Sequence, residues 1–164
     1  NKGTIAKEIV DENIFQEGVS LIISTYQKIG LPCPPKEFFL NAFLTLKPNN
    51  FIKCFGAFVN DKLIAMRIEI CYNKQIYDWY TGNLPNYNNR YPNDLLPYHI
   101  LLWGKRNGYN VFDFGGAGKP GVYYGVRDHK LKFGGTLVDF GRYEKVNNKI
   151  YMTIFKLGYT ILKK

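Results

Sequence analysis

Three consecutive segments with a two-residue period constrain the fold of this chain most. The segments "FIKCFGAFV", "LIAMRIEICY" and "QIYDWYTG" follow one another from residue 51 to 82. Only Asn60-Asp61, with the following Lys62, and the dipeptide Asn73-Lys74 separate them. Side chains alternate between the two faces of a strand, and short Asn-containing turns join antiparallel neighbours. The pattern therefore predicts a three-stranded antiparallel meander.

Two helices are predicted before the meander. Residues 11–29, "DENIFQEGVSLIISTYQKI", place apolar side chains at alternating steps of four and three, which is the period of a helix with one apolar face. Asp11 is a suitable first cap, and Gly30 is a suitable end. The segment "PPKEFFLNAFLTL" predicts a shorter second helix with Pro35 at its first position.

The elements after the meander predict a mixed sheet. An Asn-rich loop leads to a helix capped by Asp94, then "NVFDFGG" predicts a short buried strand. We expect a helix over "KPGVYYGVRDHKLKFG" and a strand over "TLVDFGRYEKV", while residues 150–164 fit either type. The predicted class is α+β, with a mostly antiparallel central sheet flanked by helices in one domain spanning residues 1–164.

The charge of the chain is concentrated in its second half. The 164 residues carry a net charge of +9, of which residues 1–82 contribute 9 basic and 8 acidic side chains, or +1. Residues 83–164 contribute 13 basic and 5 acidic side chains, or +8. Such a field attracts nucleic acid, phosphorylated substrates or lipid head groups, and it does not choose among them.

The cysteines argue against a metal site. Cys33, Cys54 and Cys71 are odd in number and far apart, which predicts reduced thiols instead of a disulfide framework or a zinc site.

No apolar run is long enough to span a bilayer, and no signal peptide opens the sequence. We expect a soluble, cytoplasmic protein, and the first residue, Asn1, leads us to expect further sequence upstream.

The element order and three phrases point to a known family. The order is similar to that of GNAT acyltransferases, whose central sheet opens between its fourth and fifth strands. The phrases "YTGN" at 80–83, "YPNDLLPYHILLWGKRNGYNVFDFGG" at 91–116 and "HKLKFGG" at 129–135 resemble the second GNAT-like half of the Fem peptidyltransferases. Those enzymes build peptidoglycan cross-bridges from aminoacyl-tRNA.

The resemblance implies an activity, a central residue and partners. In Fem proteins the last helix commonly ends in Phe-Lys-x-x-Phe-Gly; here Lys130 and Phe133-Gly134 match, while His129 replaces the aromatic residue. Lys130 would stabilise the tetrahedral intermediate and hold the tRNA end. The implied partners are the aminoacyl-tRNA 3′ end, a peptidoglycan precursor, and an upstream GNAT-like half or a second copy. The implied location is the cytoplasm, at the inner face of the membrane.

Three further residues are candidates for a site where the sheet is expected to open, between its fourth and fifth strands. Asp113 follows a short apolar strand and is predicted either to accept a proton from the attacking amine or to cap the following turn. Asp78 and Tyr80 are two residues apart on the third strand of the meander, so we expect them to share one face. That face either lines the opening or contacts solvent.

A basic surface is predicted beside Lys130. Arg127, Lys132 and Lys119 could bind phosphates, and their ordinary alternative is solubility. Phe133 and nearby tyrosines suit single-stranded nucleic acid, since bases stack on aromatic rings, although packing explains them equally. We expect His129 to replace or tune the aromatic contact of the family.

Two other functions remain open at this point. One is a stand-alone GNAT N-acetyltransferase that uses acetyl-CoA, whose pyrophosphate usually binds a Gly-rich turn before the helix. The corresponding stretch here, "NLPNYNNRYPND", contains no glycine, which makes that route doubtful. The other is a non-catalytic module that binds tRNA or an anionic surface. No cofactor other than the acyl donor is expected, because neither GxGxxG nor a P-loop is present.

Overall fold

The computed structural model describes residues 3–141 and 143–162 and divides the chain into two compact units. The first unit ends at Gly134, and the second starts at Gly135. The first contains β1 (Ile5–Glu8), α1 (Glu12–Lys28), α2 (Lys36–Leu46), β2 (Ile52–Val59), β3 (Lys62–Tyr72), β4 (Gln75–Asn83), α3 (Pro92–Arg106), β5 (Val111–Asp113) and α4 (Gly125–Leu131). The second contains α5 (Lys149–Leu162).

One five-stranded sheet organises the first unit. Its strands lie in the order β1-β2-β3-β4-β5. The first four are antiparallel to their neighbours, and β5 is parallel to β4. The predicted meander and the α+β class are thereby confirmed. Strand β1 was not predicted, since four residues without clear alternation give too little signal.

Each face of the sheet is covered by helices, which gives two apolar clusters. Helices α1 and α2 pack on one face, where Phe15 stacks on Phe43 with ring centroids 4.1 Å apart. Helix α3 packs on the other face through Leu96 and Ile100, which contact Phe55 and its neighbours. Each such buried side chain contributes about 1.5–3 kcal/mol of transfer free energy.

Helix α1 forms as predicted and approaches β4 very closely. Its first turn is capped by the Asp11 carboxylate, which accepts a hydrogen bond from the Ile14 amide at 3.0 Å. Gly82 of β4 lies directly beneath the helix, and a Cβ there would overlap the backbone of Ile22. The absence of a side chain at Gly82 therefore sets the distance between the helix and the sheet.

The register between β3 and β4 corrects one prediction. Ile68 pairs with Tyr80 but Glu69 pairs with Asp78, so Trp79 is an extra residue in β4. A bulge of this kind shifts the alternation by one residue. Tyr80 consequently packs on the α1 and α2 side, whereas Asp78 lies on the α3 side. The expectation that the two share one face is wrong.

Several predicted boundaries also change. Helix α3 begins at Pro92, which puts Asp94 in its first turn instead of at the cap. Helix α4 is shorter than predicted, because Gly118 and Gly121 adopt φ values of +73° and +74° that interrupt it. None of the described helices is long and apolar enough to cross a membrane.

The second unit differs more from expectation. The described residues of the segment 136–146 form no strand, contrary to the prediction, and Arg142 lies outside the described residues. The Asp139 carboxylate instead accepts a hydrogen bond from the Gly141 amide at 2.8 Å, which forms a turn with Gly141 at φ +68°. The last segment, whose type the sequence left open, is helix α5.

The contact between Gly82 and α1 generates a stability prediction. Gly82→Ala should lower the free energy of unfolding by about 3 kcal/mol, since backbone atoms of Ile22 cannot move aside. Gly18→Ala is the matched control at the same helix-sheet contact: its Cβ meets only the flexible Met66 side chain, and Ala favours the helix. Urea denaturation of both variants measures the difference, and equal losses would contradict this account.

Candidate active site

The sheet opens where β4 and β5 separate. The two strands pair only between Gln75–Tyr77 and Val111–Asp113. Strand β4 continues to Asn83, while β5 ends at Asp113. We call residues 78–83 of β4 together with residues 113–116 the β4–β5 opening. Beyond this short pairing, no described strand pairs with β4 on its β5 side, and we take this edge as the candidate site.

Lys130 of α4 is held at this opening. Its Nζ donates hydrogen bonds to the carbonyl oxygens of Phe114 at 2.5 Å and Gly116 at 2.8 Å. An ammonium has three N–H groups, so one remains for another acceptor. Burial lowers the pKa of Lys130, and the nearby Arg67 charge lowers it further, while Asp78 and Asp113 act in the opposite direction.

A buried ion pair lies beneath the opening on the α3 face. Nη1 of Arg67 on β3 donates to Oδ2 of Asp78 on β4, and both side chains are less than a tenth exposed. The charges of both residues influence the pKa of Lys130. Removing one partner of such a pair leaves an uncompensated buried charge, which costs about 3–5 kcal/mol. The pair thus fixes the position of Asp78 near Lys130.

Glu69 is a second buried acid beside this pair. Its side chain is fully buried, and neither carboxyl oxygen has a hydrogen-bond partner among the described residues; the same holds for Nε of Arg67. Burial raises the pKa of Glu69 well above its usual value, the Asp78 charge adds to this, and Arg67 opposes it. Burial therefore favours the protonated, neutral form of Glu69 in the folded protein.

Sequence reasoning missed Arg67 and Glu69 as site residues. Their alternation with isoleucines reads as a solvated strand face, and the charged side chains strengthen that interpretation. Helix α3 packs on this face, and both side chains are buried. The available signal was the apolar helix predicted directly after the meander, which needs a sheet face to pack against.

Asp113 lies at the opening but has a structural contact. Its Oδ1 accepts a hydrogen bond from the Gly115 amide at 2.7 Å, so it caps the turn that carries the carbonyl oxygens bound by Lys130. The side chain is exposed, and its second oxygen has no hydrogen-bond partner among residues 3–141 and 143–162. Both predicted roles, cap and proton acceptor, are compatible with this geometry.

His129 and Phe133 anchor α4. His129 Nε2 lies 3.0 Å from Oδ1 of Asp94 in the first turn of α3. The ring centroids of His129 and Phe133 are 5.4 Å apart, and those of Phe133 and Phe114 are 5.6 Å apart. These contacts connect α4 to α3 and to the loop after β5. His129 thus occupies a packing position next to Lys130.

The remaining predicted residues separate into two groups. Arg127 donates to the carbonyl oxygens of Val122 and Lys119, which closes the loop before α4. Lys119 and Lys132 are exposed, and their side chains form no hydrogen bond or ion pair among the described residues. Tyr80 packs against aromatic rings of α1 and α2 and therefore lies away from the Lys130 side of the sheet.

The turn before α3 is poorly suited to a pyrophosphate. Residues Pro85–Arg90 form a 3₁₀ turn without glycine, and Pro92 at the first helical position has no amide hydrogen. The Asp94 amide already donates to the Tyr91 carbonyl oxygen at 3.2 Å. The Asp94 carboxylate also places a negative charge in the first turn, where an anion would otherwise bind.

No metal centre is evident at the opening or elsewhere in the described part of the chain. All three cysteines are free thiols. Residues 3–141 and 143–162 contain no group of three His, Cys, Asp or Glu side chains that could hold a metal ion. Burial raises the pKa of Cys71 to about 11, so this thiol is protonated at neutral pH.

Residues 24–130, more than half of the chain, match the family model of the acetyltransferase (GNAT) domain. The chain belongs to the GNAT family. This confirms the predicted superfamily and fold. The matched segment contains the opening and ends at Lys130. No curated protein sequence matches the chain significantly.

Solved structures share the GNAT fold at low sequence identity. FemX aligns with a TM-score of 0.68 and 13% identity over 78% of this chain and 49% of its own, so the chain spans about half the length of FemX. A possible acetyltransferase from Clostridium difficile 630 aligns with a TM-score of 0.63 and 12% identity, covering 87% of this chain and 97% of that one. An aminoglycoside acetyltransferase from an uncultured soil metagenomic sample, solved with sisomicin, aligns with a TM-score of 0.58 and 16% identity. The alignment covers 87% of this chain and 97% of that one.

The buried Glu69 carboxyl generates a pH prediction. In the unfolded chain this group ionises near pH 4.3, whereas the folded state keeps its proton to a higher pH, so stability is lost as pH rises above about 4.3. Glu69→Gln removes this loss. Its free energy of unfolding relative to the unsubstituted protein should therefore increase between pH 5 and pH 8, by up to about 1.4 kcal/mol per pH unit.

Glu17→Gln, at an exposed carboxyl of α1, is the control. Its difference from the unsubstituted protein should change by less than about 0.5 kcal/mol over the same range. Urea denaturation at several pH values measures both variants. A Glu69→Gln difference that stays constant or falls with pH would show that Glu69 is ionised in the folded protein.

Proposed function

We propose that this GNAT domain transfers an aminoacyl group from aminoacyl-tRNA to an amine of a peptidoglycan precursor. Family membership gives the general reaction class, acyl transfer. The finer assignment is supported chiefly by Lys130, whose ammonium is fixed at the β4–β5 opening with one N–H to spare. The adjacent Phe133-Gly134 completes the Fem-like phrase, and the FemX structure shares the fold.

The reaction needs little beyond alignment and charge stabilisation. The acceptor amine attacks the ester carbonyl carbon, a C–N bond forms, and the carbonyl electron pair moves to oxygen. Lys130 donates its third N–H to this developing oxyanion. Collapse breaks the bond to the ribose oxygen, and the proton that the amine loses passes through a carboxylate to this oxygen, so the tRNA leaves with a free ribose hydroxyl. Asp113 is the proposed acceptor of that proton through its second oxygen, since Arg67 already pairs with Asp78.

Charges around the opening favour a nucleic-acid donor. Lys119 and Lys132 are exposed and have no competing partner among the described residues, so both are available to phosphates. In the first unit, residues 83–134 contain seven basic and three acidic side chains, a net charge of +4. The precursor site would come from an upstream GNAT-like half or from a second copy, as the Fem resemblance implies. The alignment covers 49% of FemX, which is consistent with a protein built from two such halves.

Acetyl transfer from acetyl-CoA is the second candidate. It is favoured by the acetyltransferase structures, of which this chain covers nearly the whole length. The glycine-free turn before α3 and the Asp94 carboxylate argue against the usual pyrophosphate contact. The two candidates use the same opening and differ in the donor.

Replacement of Lys130 tests the proposed role. Lys130→Ala should lower the rate constant of aminoacyl transfer at least about a hundredfold, the usual effect of removing one oxyanion donor. Lys132→Ala is the matched control, two residues away and exposed; it should weaken tRNA binding modestly and leave the maximal rate intact. Single-turnover transfer from radiolabelled aminoacyl-tRNA measures both, and circular dichroism verifies folding.

Two outcomes would contradict the assignment. Near-normal turnover of a folded Lys130→Ala protein would exclude the role of the ammonium. Equal effects of Lys130→Ala, Arg127→Ala and Lys132→Ala on tRNA affinity, without any effect on rate, would instead indicate a binding module.

A further inference from the structure

Helix α5 has a narrow polar stripe. Its polar residues are Lys149, Thr153, Lys156 and Thr160, which recur at steps of four, three and four. At 100° per residue these positions fall on one line along the helix. Every other position from 150 to 162 is apolar or glycine. The helix is therefore strongly amphipathic, with an apolar face wider than its polar one.

The apolar face is exposed within the second unit. The side chains of seven residues are each more than half exposed: Ile150, Tyr151, Ile154, Phe155, Leu157, Tyr159 and Ile161. The start of the helix is nevertheless well defined, since the Asn148 side chain accepts hydrogen bonds from the Ile150 and Tyr151 amides at 2.9 and 3.2 Å. An exposed apolar face of this size marks a surface for a partner or a membrane.

All ionisable side chains of the segment 145–164 that are charged at neutral pH are basic. Residues 145–164 contain five lysines and no acidic residue. The nearest acid in sequence is Glu144, which forms an exposed, 4.0 Å ion pair with Lys156 on the polar stripe. Aromatic and aliphatic residues opposite lysines are the pattern of helices that lie in the interface of an anionic bilayer. A second copy of the chain is a less suitable partner, because each copy carries +9.

We propose that α5 binds the surface of an anionic phospholipid membrane. The helix lies parallel to the surface, with its apolar face among the acyl chains and its lysines at the head groups. At 1.5 Å per residue its 14 residues extend about 21 Å, which is shorter than the bilayer core. The proposal does not depend on the acyl donor or on Lys130.

Vesicle flotation with the whole purified chain tests this. Vesicles that contain phosphatidylglycerol should bind the chain at least tenfold more tightly than vesicles of phosphatidylcholine alone, and added salt should weaken the binding. Two neighbouring substitutions separate insertion from charge. Ile154→Glu and Thr153→Glu change the net charge equally, but only the first lies on the apolar face. Ile154→Glu should reduce binding at least tenfold more than Thr153→Glu.

Three results would overturn the proposal. The first is that the chain binds neither kind of vesicle. The second is that both variants lose binding equally, which would leave only non-specific charge attraction. The third is that light scattering shows a dimer which Ile154→Glu dissociates while vesicle binding is absent, which would make a second copy the occupant. Far-UV circular dichroism verifies that the variants remain folded.

Discussion

The buried ion pair between Arg67 and Asp78 is the interaction on which the site depends. Two charges removed from water are stable only with good geometry, and regular pairing of β3 with β4 as far as Glu69 and Asp78 puts Asp78 on the same face as Arg67. The bulge at Trp79 then sends Tyr80 into the opposite apolar cluster. One extra residue in β4 thus separates the polar floor of the opening from the core beneath α1 and α2.

The ionisable side chains of Arg67, Glu69 and Asp78 affect one another, and those of Arg67 and Asp78 also affect Lys130. Burial raises the pKa of Glu69, the Asp78 charge raises it further, and Arg67, which pairs with Asp78, opposes both. Lys130 is held in place by two carbonyl oxygens, close enough to Arg67, Asp78 and Asp113 for their charges to act on it. A cation held in this way needs no rearrangement when an oxyanion forms, which is the physical basis of electrostatic catalysis.

The sequence predicted the meander, α1, α2 and the class of the fold, because two-residue and helical periods are local signals. It did not predict the bulge, since nothing local distinguishes an extra residue at Trp79. It also placed a strand at 136–146, where apolar alternation alone suggested one, although a strand forms only when it finds a partner. Glu69 was missed for a related reason: its burial depends on α3, which is distant in sequence.

The identity of the acyl donor tests the central claim most directly. The chain, together with its upstream half if one exists, is incubated with a peptidoglycan precursor and either aminoacyl-tRNA or acetyl-CoA, and mass spectrometry detects the modified amine. We predict an aminoacyl product from aminoacyl-tRNA and none from acetyl-CoA. An acetylated product from acetyl-CoA, with no aminoacyl transfer, would contradict the account and favour the acetyltransferase.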